Sequence, residues 1–295
     1  MGCRATMPLG KGATMTETEP WTCPTCNTAV STPYCPGCGE RPLRERELTL
    51  RGIFNQLVQV FTKIDGRLIL SFRCLVSRPG FLTVAYLHGQ RKPYVGPVPL
   101  FLIANALFFA TESLTGGTVF TTPIDSHLHT QPWSRVAEVL VSHRLEAMQT
   151  TLDIYAPVFD HAMARNARSL IIFMVLSFVA VPSLAFYRSR SPLGAHAFFS
   201  LHVYAFLLLL FCVATAVPPV DLWFGGAGPA TSGLDHAISI ALLLACGMYL
   251  HVATGKVYGA TGVSRVLKVV ALTVAVASIV LGYRFVLFVI TLYTT

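Results

Sequence analysis

Four cysteines within sixteen residues are the feature of this sequence that most directly implies chemistry. They form two CxxC pairs, Cys23/Cys26 and Cys35/Cys38, separated by eight residues. Zn²⁺ binds tetrahedral sets of thiolates, and two CxxC turns supply four of them in a closed site. Because a closed site has no open coordination position, the pattern predicts a structural zinc ribbon over residues 21–40. Two disulfides, a redox-active CxxC pair and an iron site are the alternatives that the spacing leaves open.

The elements that must position these cysteines have the composition of a membrane protein. Of the 295 residues, 53% are hydrophobic and 12% are charged, and the mean hydropathy is +0.59. Soluble proteins carry about 25% charged residues, whereas apolar runs of about 20 residues, which recur here, are typical of membrane-spanning helices. The net charge of +8 then indicates orientation in a membrane, and we expect no nucleic-acid partner.

The apolar runs predict an all-α integral membrane protein with about five transmembrane helices, preceded by the zinc-ribbon knot and by amphipathic interfacial helices. The expected order is a disordered N-terminus (1–20), the zinc ribbon (21–40), cytoplasmic amphipathic helices (41–96) and a transmembrane domain (97–295). The expected spans are 97–114, 168–187, 197–217, 235–255 and 266–292, with an outer loop over 115–167.

The segment between the ribbon and the first span is predicted to form short one-sided helices. Apolar residues recur at i, i+3, i+4 and i+7 from Leu50 to Ile64, the spacing of an amphipathic helix. Two further helices are separated by breaks at 65–67 and 78–80. Apolar faces edged with Arg favour helices that lie in the membrane interface in contact with lipids. A soluble helical subdomain that buries the same faces is the alternative.

Lys and Arg are distributed unevenly over the predicted loops. Residues 1–96 contain twelve of them, whereas the loop 218–234 contains none. The positive-inside rule therefore predicts a cytoplasmic N-terminus and a C-terminus on the outer side. Thiols that are available for metal binding agree with a reducing, cytoplasmic location for the ribbon. The first twenty residues lack an apolar segment, so we expect no cleavable signal peptide, and both Met1 and Met15 are candidate starts.

A second motif follows the ribbon and leads directly into the first span. It reads PG-x5-YL-x-G-x-R-K-x-Y-x2-P, and together with the CxxC…CxxCG ribbon it resembles an uncharacterised bacterial family, domain of unknown function number 3667. The resemblance covers residues 20–110, and the remaining spans match in character alone. It implies an inner-membrane protein with a cytoplasmic zinc ribbon and no assigned activity. The matching positions are Cys23, Cys26, Cys35, Cys38, Gly39, Pro79, Gly80, Tyr86, Leu87, Gly89, Arg91, Lys92, Tyr94 and Pro97.

Basic and aromatic residues surround the cytoplasmic mouth of the first predicted span. Tyr is favoured at the headgroup level, and Arg and Lys attract anionic lipid. These residues therefore form either a general membrane anchor or a specific site for a lipid phosphate or a carboxylate. The members of this candidate lipid- or anion-binding group are Arg73, Arg78, Arg91, Lys92 and Tyr94.

Two pairs of ionisable residues fall inside predicted spans. Glu112 and Arg284 lie at similar depths, about 21–23 Å from the cytoplasmic face at 1.5 Å per residue. They are candidates for an intramembrane ion pair, unless both extend to the outer surface. His202 and His251 lie near the cytoplasmic ends of their spans. They either line a polar cavity or make hydrogen bonds between helices.

No nucleotide-binding loop, nucleophile elbow, kinase motif or paired acid/base carboxylates are found in the sequence. An enzyme is therefore the less favoured class. We expect a non-enzymatic scaffolding or regulatory module whose structural zinc ribbon recruits a cytoplasmic protein partner. The alternative is a small transporter or lipid-handling membrane protein, for which a homo-oligomer would supply the pathway that five helices are too few to build.

Overall fold

The computed structural model describes residues 20–40, 66–117, 119–189, 191–223 and 232–295. The expected disordered N-terminus lies outside these residues except for Pro20. The helix expected over Leu50–Ile64 lies outside them as well. For 188, 218–223 and 232–236 the backbone is described and the side chains are not.

Helices make up nearly all of the described chain. The strands are β1 (Trp21–Thr22) and β2 (Ala29–Val30), which pair antiparallel within the ribbon. The helices are α1 (Gly66–Ser77), α2 (Phe81–Leu87), α3 (Pro97–Thr115), α4 (Ile124–His129), α5 (Ser134–Met148), α6 (Leu152–Leu170), α7 (Ile172–Ala185), α8 (Leu193–Trp223), α9 (Ser232–Tyr258) and α10 (Gly262–Thr294). A short 3₁₀ turn at Tyr187–Ser189 follows α7.

Four helices are long and apolar enough to cross a membrane, and a bent pair raises the number to five. The four are α3, α8 over Leu193–Val217, α9 over Ala237–Tyr258, and α10. The pair is α6 with α7, which meet at an angle of 44° around Ile171. Helix α7 alone, with 14 residues, spans about 21 Å, which is less than the roughly 30 Å of a hydrocarbon core. The chain is thus an all-α integral membrane protein.

The segment expected as an outer loop over 115–167 contains helices. Helices α4 and α5 and most of α6 lie within it. Helix α6 continues into the segment that was expected to begin a span at 168, and it accommodates Pro157 in its interior. The physical reason is an apolar stripe at helical spacing, buried along α6 at Tyr155, Phe159, Ala162, Met163 and Ala167. Polar residues on the opposite face, and the proline, obscure this stripe in the sequence.

The first two helices seat against the bundle through a turn that requires glycine. Gly80 has a φ of +78°, a conformation that residues with a Cβ rarely adopt. A Cβ on Gly80 would lie 2.9 Å from the Cα and carbonyl oxygen of Ala253 in α9. The backbone of the α1–α2 turn therefore rests directly on a spanning helix. This contact explains the Pro-Gly that ends α1 in the sequence.

Aromatic rings fill the core between the spanning helices. Helix α3 packs along α8, and α10 packs against α9, α7 and α6. Phe120, which follows α3, is fully buried and contacts the rings of Phe108, Phe211 and Tyr283 at centroid distances of 5.5–5.7 Å. Edge-to-face ring contacts of this kind add to the dispersion energy of burial. They hold the end of α3 against α8 and α10.

Candidate metal centre

The two CxxC segments form matching turns at the N-terminal end of the described chain. In the first turn, the N–H of Asn27 donates to the carbonyl of Cys23 at 2.8 Å. In the second, the N–H of Gly39 donates to the carbonyl of Cys35 at 2.7 Å. Asn27 (φ +55°) and Gly39 (φ +70°) are both left-handed, a conformation that Asn and Gly adopt at low cost. The residue after each CxxC therefore closes the turn that aims two sulfur atoms inward.

The four sulfur atoms converge on one point. The Sγ atoms of Cys23, Cys26, Cys35 and Cys38 all lie within 4.8 Å of one another. The closest distances join the two turns, at 3.4 Å for Cys23 to Cys38 and 3.4 Å for Cys26 to Cys35. Sulfur atoms around a tetrahedral zinc ion at about 2.3 Å would be separated by about 3.8 Å. The donor set and its spacing therefore fit a metal ion bound by four thiolates.

One of the four thiols is exposed and prepared to ionise. Hydrogen bonds from the side chain and backbone of Thr28 lower the pKa of the Cys26 thiol from 9.0 to about 6. The Thr28 hydroxyl lies 3.2 Å from Cys26 Sγ. Because the thiolate is the form that binds metal, Cys26 is available as a ligand at neutral pH. Cys23 and Cys35 are buried beneath it.

A carboxylate next to the second turn fixes the ribbon to the rest of the protein. Glu40 is buried, and its Oε2 accepts hydrogen bonds from the backbone N–H groups of Arg91 (3.1 Å) and Lys92 (3.0 Å). The same oxygen accepts from the hydroxyl of Thr25 at 3.0 Å. The carbonyl of Glu40 accepts from the N–H of Cys35 at 2.7 Å. Glu40 is therefore part of both the metal-binding turn and the contact with the loop before α3.

Further contacts extend this docking surface, which we define as Glu40 and Pro24 of the ribbon with Gly89–Lys92 of the loop. Gln90 Nε2 donates to the carbonyl of Pro24 at 2.7 Å. Gly89 has a φ of +87°, and a Cβ there would lie 3.4 Å from the Pro24 ring. On the other side of the loop, Arg67 Nη1 donates to the carbonyl of Lys92 at 3.2 Å. The loop is thus held between the ribbon and α1.

The structure divides the predicted lipid- or anion-binding residues between two places. The guanidinium of Arg78 lies 5.9 Å from the ring centroid of Phe81, which in turn contacts the ring of Tyr94 at 5.7 Å. The guanidinium of Arg91 lies 5.1 Å from the ring centroid of Tyr86.

The two lysine- and arginine-rich positions that remain face different surroundings. Lys92 Nζ lies near Gly39, at 3.4 Å from where a Cβ would stand, and Lys92 is therefore beside the ribbon. Arg73 is exposed on α1. Binding of lipid or another anion by these residues stays a prediction.

Glu112 and Arg284 reach the same short segment from opposite helices. Glu112 is 3% exposed, and its Oε1 accepts from the N–H of Phe120 at 3.1 Å. Arg284 Nη2 donates to Oγ1 of Thr122 at 3.1 Å. The two side chains interact electrostatically, and each one anchors the stretch 120–122 by its own hydrogen bond. The ion pair between them stays a prediction.

The two histidines of the predicted polar cavity contact different elements. His202 is buried in α8, and its Nδ1 lies 2.9 Å from the hydroxyl of Thr83 in α2. His251 is half-buried in α9, and its carbonyl accepts hydrogen bonds from the guanidinium of Arg265 in α10. His202 therefore joins α2 to α8, and the backbone at His251 joins α9 to α10. A cavity shared by the two side chains stays a prediction.

Several residues that organise these sites were not identified from the sequence. Glu40 lies in a run rich in Arg and Glu, where one acid has no distinguishing signature. Gln90 and Thr83 are ordinary polar residues of short helices and loops. Their roles depend on partners that are 66 and 119 residues away in the chain. The one available signal was the position of Glu40 directly after CxxCG.

Comparison with known proteins supports the resemblance and adds no activity. Residues 65–109 match the model of a family described as protein of unknown function (DUF3667). The matched segment contains α1, α2, the docking loop and the first part of α3, and the ribbon lies outside it. The chain matches no curated protein and no solved structure.

Proposed function

We propose that this protein is a multi-pass protein of the bacterial inner membrane that acts as a non-enzymatic scaffolding or regulatory module. Its ribbon lies in the cytoplasm, binds one structural zinc ion and recruits a cytoplasmic protein partner. The observation that carries the proposal is the attachment of the four-cysteine ribbon to the loop before α3 through buried Glu40. A ribbon fixed in this way presents its remaining surface in a defined orientation.

The chemistry of the donor set favours a structural role for the metal. Four thiolates complete the tetrahedral shell of zinc and leave no position for a substrate or a water molecule. When bound, zinc would supply charge and cross-linking at this site, and no catalytic step is routed through it. The chain's own residues position the ligands through the turns closed by Asn27 and Gly39. A redox role for the cysteines would require pairs rather than a convergent set of four.

The exposed side of the ribbon offers a surface for a partner. Tyr34 is 58% exposed and lies in the stretch Ser31–Tyr34, all of which is exposed. Aromatic residues are enriched in protein–protein interfaces because they bury a large area at a small cost in conformational entropy. This stretch lies directly before the second CxxC turn, so metal binding would fix its position.

Helix α1 supports contact with lipids. Ile69 and Val76 lie two turns apart on one face of α1 and are 74% and 53% exposed. The exposed Arg73 lies between them. An exposed apolar face that carries Arg is suited to the boundary between headgroups and acyl chains. We therefore place α1 in the cytoplasmic membrane interface, close to the docked ribbon.

The test compares the double variant Cys35→Ser/Cys38→Ser with Cys74→Ser in the full-length protein. Metal analysis of the detergent-purified protein should give one zinc per chain for the wild type and Cys74→Ser, and none for the double variant. Crosslinking in cells followed by mass spectrometry should then identify a partner that contacts the ribbon in the first two proteins alone. All three proteins should remain in the membrane fraction.

A matched pair of tyrosine variants tests the recruiting surface itself. Tyr34→Ala should lose the ribbon crosslinks, while Tyr293→Ala should keep them, because Tyr293 is equally exposed (59%) at the far end of α10. The proposal fails if metal loss and Tyr34→Ala leave partners and phenotype unchanged. It also fails if the purified wild type contains no zinc.

A small transporter or lipid-handling protein is the second candidate. The buried polar residues between helices, such as His202 with Thr83 and Glu112 with Phe120, favour it, because buried polar groups in membrane helices often mark pathways. A transporter of this size would work as a homo-oligomer. Reconstitution into vesicles, with native mass spectrometry of the oligomeric state and of retained lipid, distinguishes this candidate from the scaffold.

A further inference from the structure

A group of buried polar side chains lies at the end of α3 that is remote from the docking loop. We call Glu112, Thr122, His127 and Arg284 the polar cluster. They come from α3, the stretch between α3 and α4, α4, and α10. Glu112, Thr122 and His127 are almost completely buried. Buried polar groups in a membrane protein are costly unless their hydrogen bonds are made.

Three contacts bring the members of the polar cluster together. Glu112 Oε1 binds the N–H of Phe120, and Arg284 Nη2 binds the hydroxyl of Thr122, two residues further on. The ring of His127 contacts the ring of Phe288 at a centroid distance of 4.7 Å. Phe288 lies one helical turn after Arg284, so His127 packs over the same face of α10.

One atom of each ionisable side chain in the polar cluster has no hydrogen-bond partner among the described residues. These atoms are Glu112 Oε2, Arg284 Nε and His127 Nε2, all inaccessible to solvent. Trp133 Nε1 donates to His127 Nδ1 at 3.2 Å, which makes Nδ1 the acceptor. A neutral imidazole then carries its proton on Nε2. The unmet groups are therefore one acceptor and two donors.

The state of His127 agrees with this assignment. Burial, with a smaller contribution from the charge of Arg284, lowers the pKa of His127 to about 4. The ring is therefore neutral at physiological pH, with one donor nitrogen and one acceptor nitrogen. Three unmet buried groups would each cost about 1–3 kcal/mol, so an occupant that satisfies them together would stabilise the fold.

We propose that the polar cluster binds one hydroxyl group, that of a water molecule or of a small neutral solute. The oxygen of this hydroxyl accepts from Arg284 Nε and His127 Nε2, and its hydrogen is donated to Glu112 Oε2. Charge excludes an ionic ligand, because Glu112 opposes an anion and Arg284 opposes a cation. The rings of Phe120, Tyr283 and Phe288 limit the occupant to a small size.

Radiolytic labelling of the purified full-length protein tests this proposal. X-ray pulses convert bound water into hydroxyl radicals, which oxidise the side chains beside it. Phe120 and Tyr283 should be labelled several-fold more than Phe101, an equally buried aromatic residue of α3. Labelling of Phe120 and Tyr283 at the level of Phe101 overturns the proposal, because the site is then dry and empty.

Variants and a mass measurement complete the experiment. Glu112→Leu removes the acceptor and should reduce the labelling of Phe120 to the level of Phe101, whereas Glu112→Gln keeps a carbonyl oxygen and should retain it. If Glu112→Leu does not fold, His127→Phe replaces it, since that change keeps the ring contact with Phe288. Labelling that is unchanged in both Glu112→Leu and His127→Phe would overturn the proposal.

Native mass spectrometry identifies the source of the hydroxyl. A neutral solute would add its mass to the protein in wild type and Glu112→Gln and be absent from Glu112→Leu. Water would add no stable mass, while the labelling persists in minimal buffer. Either result supports the site, and neither depends on zinc or on the ribbon.

Discussion

The carboxylate of Glu40 accepts a hydrogen bond of 3.0 Å from the backbone N–H of Lys92, fifty-two residues further along the chain. The carbonyl of the same glutamate closes the second metal-binding turn through the N–H of Cys35. One residue therefore joins the ribbon to the loop that leads into α3. Changes at either side of this residue should be felt at the other.

Replacement of Glu40 tests this link directly. Glu40→Ala removes the acceptor for two backbone N–H groups and one hydroxyl, and each group left unmet should cost about 1–3 kcal/mol. Hydrogen exchange at Arg91 and Lys92 should therefore accelerate, while the zinc content stays unchanged. Glu138→Ala, at an exposed position of α5, is the control and should change neither. Unaltered exchange at Arg91 and Lys92 would show that Glu40 does not hold the loop.

Removal of the metal should loosen the same loop from the other side. Without an ion, the four thiolates repel one another and the turn from Cys35 to Gly39 loses its closure, so Glu40 is no longer held in place. Chelation should accelerate exchange at Arg91 and Lys92 and leave the amides of α8 unaffected. The Glu40→Ala variant should show no additional acceleration at these two amides. A chelator effect that is the same in wild type and Glu40→Ala would contradict the link.

Gly80 should not tolerate a side chain. Gly80→Ala forces a Cβ to within 2.9 Å of the Ala253 backbone at a φ of +78°. Both the clash and the left-handed conformation are unfavourable, with a combined cost of about 2 kcal/mol or more. The thermal midpoint in detergent should fall by several degrees. Gly282→Ala in α10, where no heavy atom lies within 4 Å of the new Cβ, should leave it unchanged or raise it. Equal midpoints for the two variants would contradict the seating of the turn on α9.

Exchange of the charges at Glu112 and Arg284 should fail to restore the protein. Glu112 provides an acceptor for the N–H of Phe120, and Arg284 provides a donor for Thr122. Swapped side chains would offer a donor where an acceptor is needed at Phe120. Each single change and the double swap Glu112→Arg/Arg284→Glu should therefore reduce the monodisperse yield by a similar factor. Recovery in the double variant would mean that the direct ion pair dominates over these two contacts.

Acidification should destabilise the protein through His127. Its pKa is about 4 in the fold because of burial, and about 6.5 in an unfolded chain. Between these values the unfolded chain binds a proton that the folded protein does not. Stability should therefore fall as the pH decreases from 6.5 towards 4, by an amount on the order of 1–2 kcal/mol. The measurement is the thermal midpoint in detergent as a function of pH.

Two variants identify the source of that pH dependence. His127→Phe should flatten the decrease, because the titrating group is gone. His143→Gln changes an exposed histidine of α5 and should leave the profile as in wild type. An identical decrease in His127→Phe would assign the effect to other groups.

The ribbon and the apolar helices could be predicted because their signals are local. Two CxxC pairs specify a ligand set within sixteen residues, and an apolar run specifies a helix by its own composition. The family resemblance was found in the same local region, at residues 65–109. The helices over 115–167 could not be predicted as readily, because polar residues and Pro157 obscure the stripe of α6.

The contacts that assemble the sites required the structure. Glu40 meets Lys92 across fifty-two residues, and His202 meets Thr83 across 119. Neither partner is marked by composition or spacing. His127 was a scattered histidine in the sequence and becomes a member of the polar cluster through Trp133 and Phe288.

The contact between Gly80 and Ala253 also sets an order of events during biosynthesis. The two residues are 173 positions apart (253 minus 80). At about 5–20 residues per second, a ribosome needs roughly 9–35 s to reach the second after making the first. The ribbon and α1 are therefore complete long before the helix on which the α1–α2 turn rests. Throughout that interval the N-terminal third of the chain is attached to the membrane by α3 alone, and its final position is reached after α9 has been inserted.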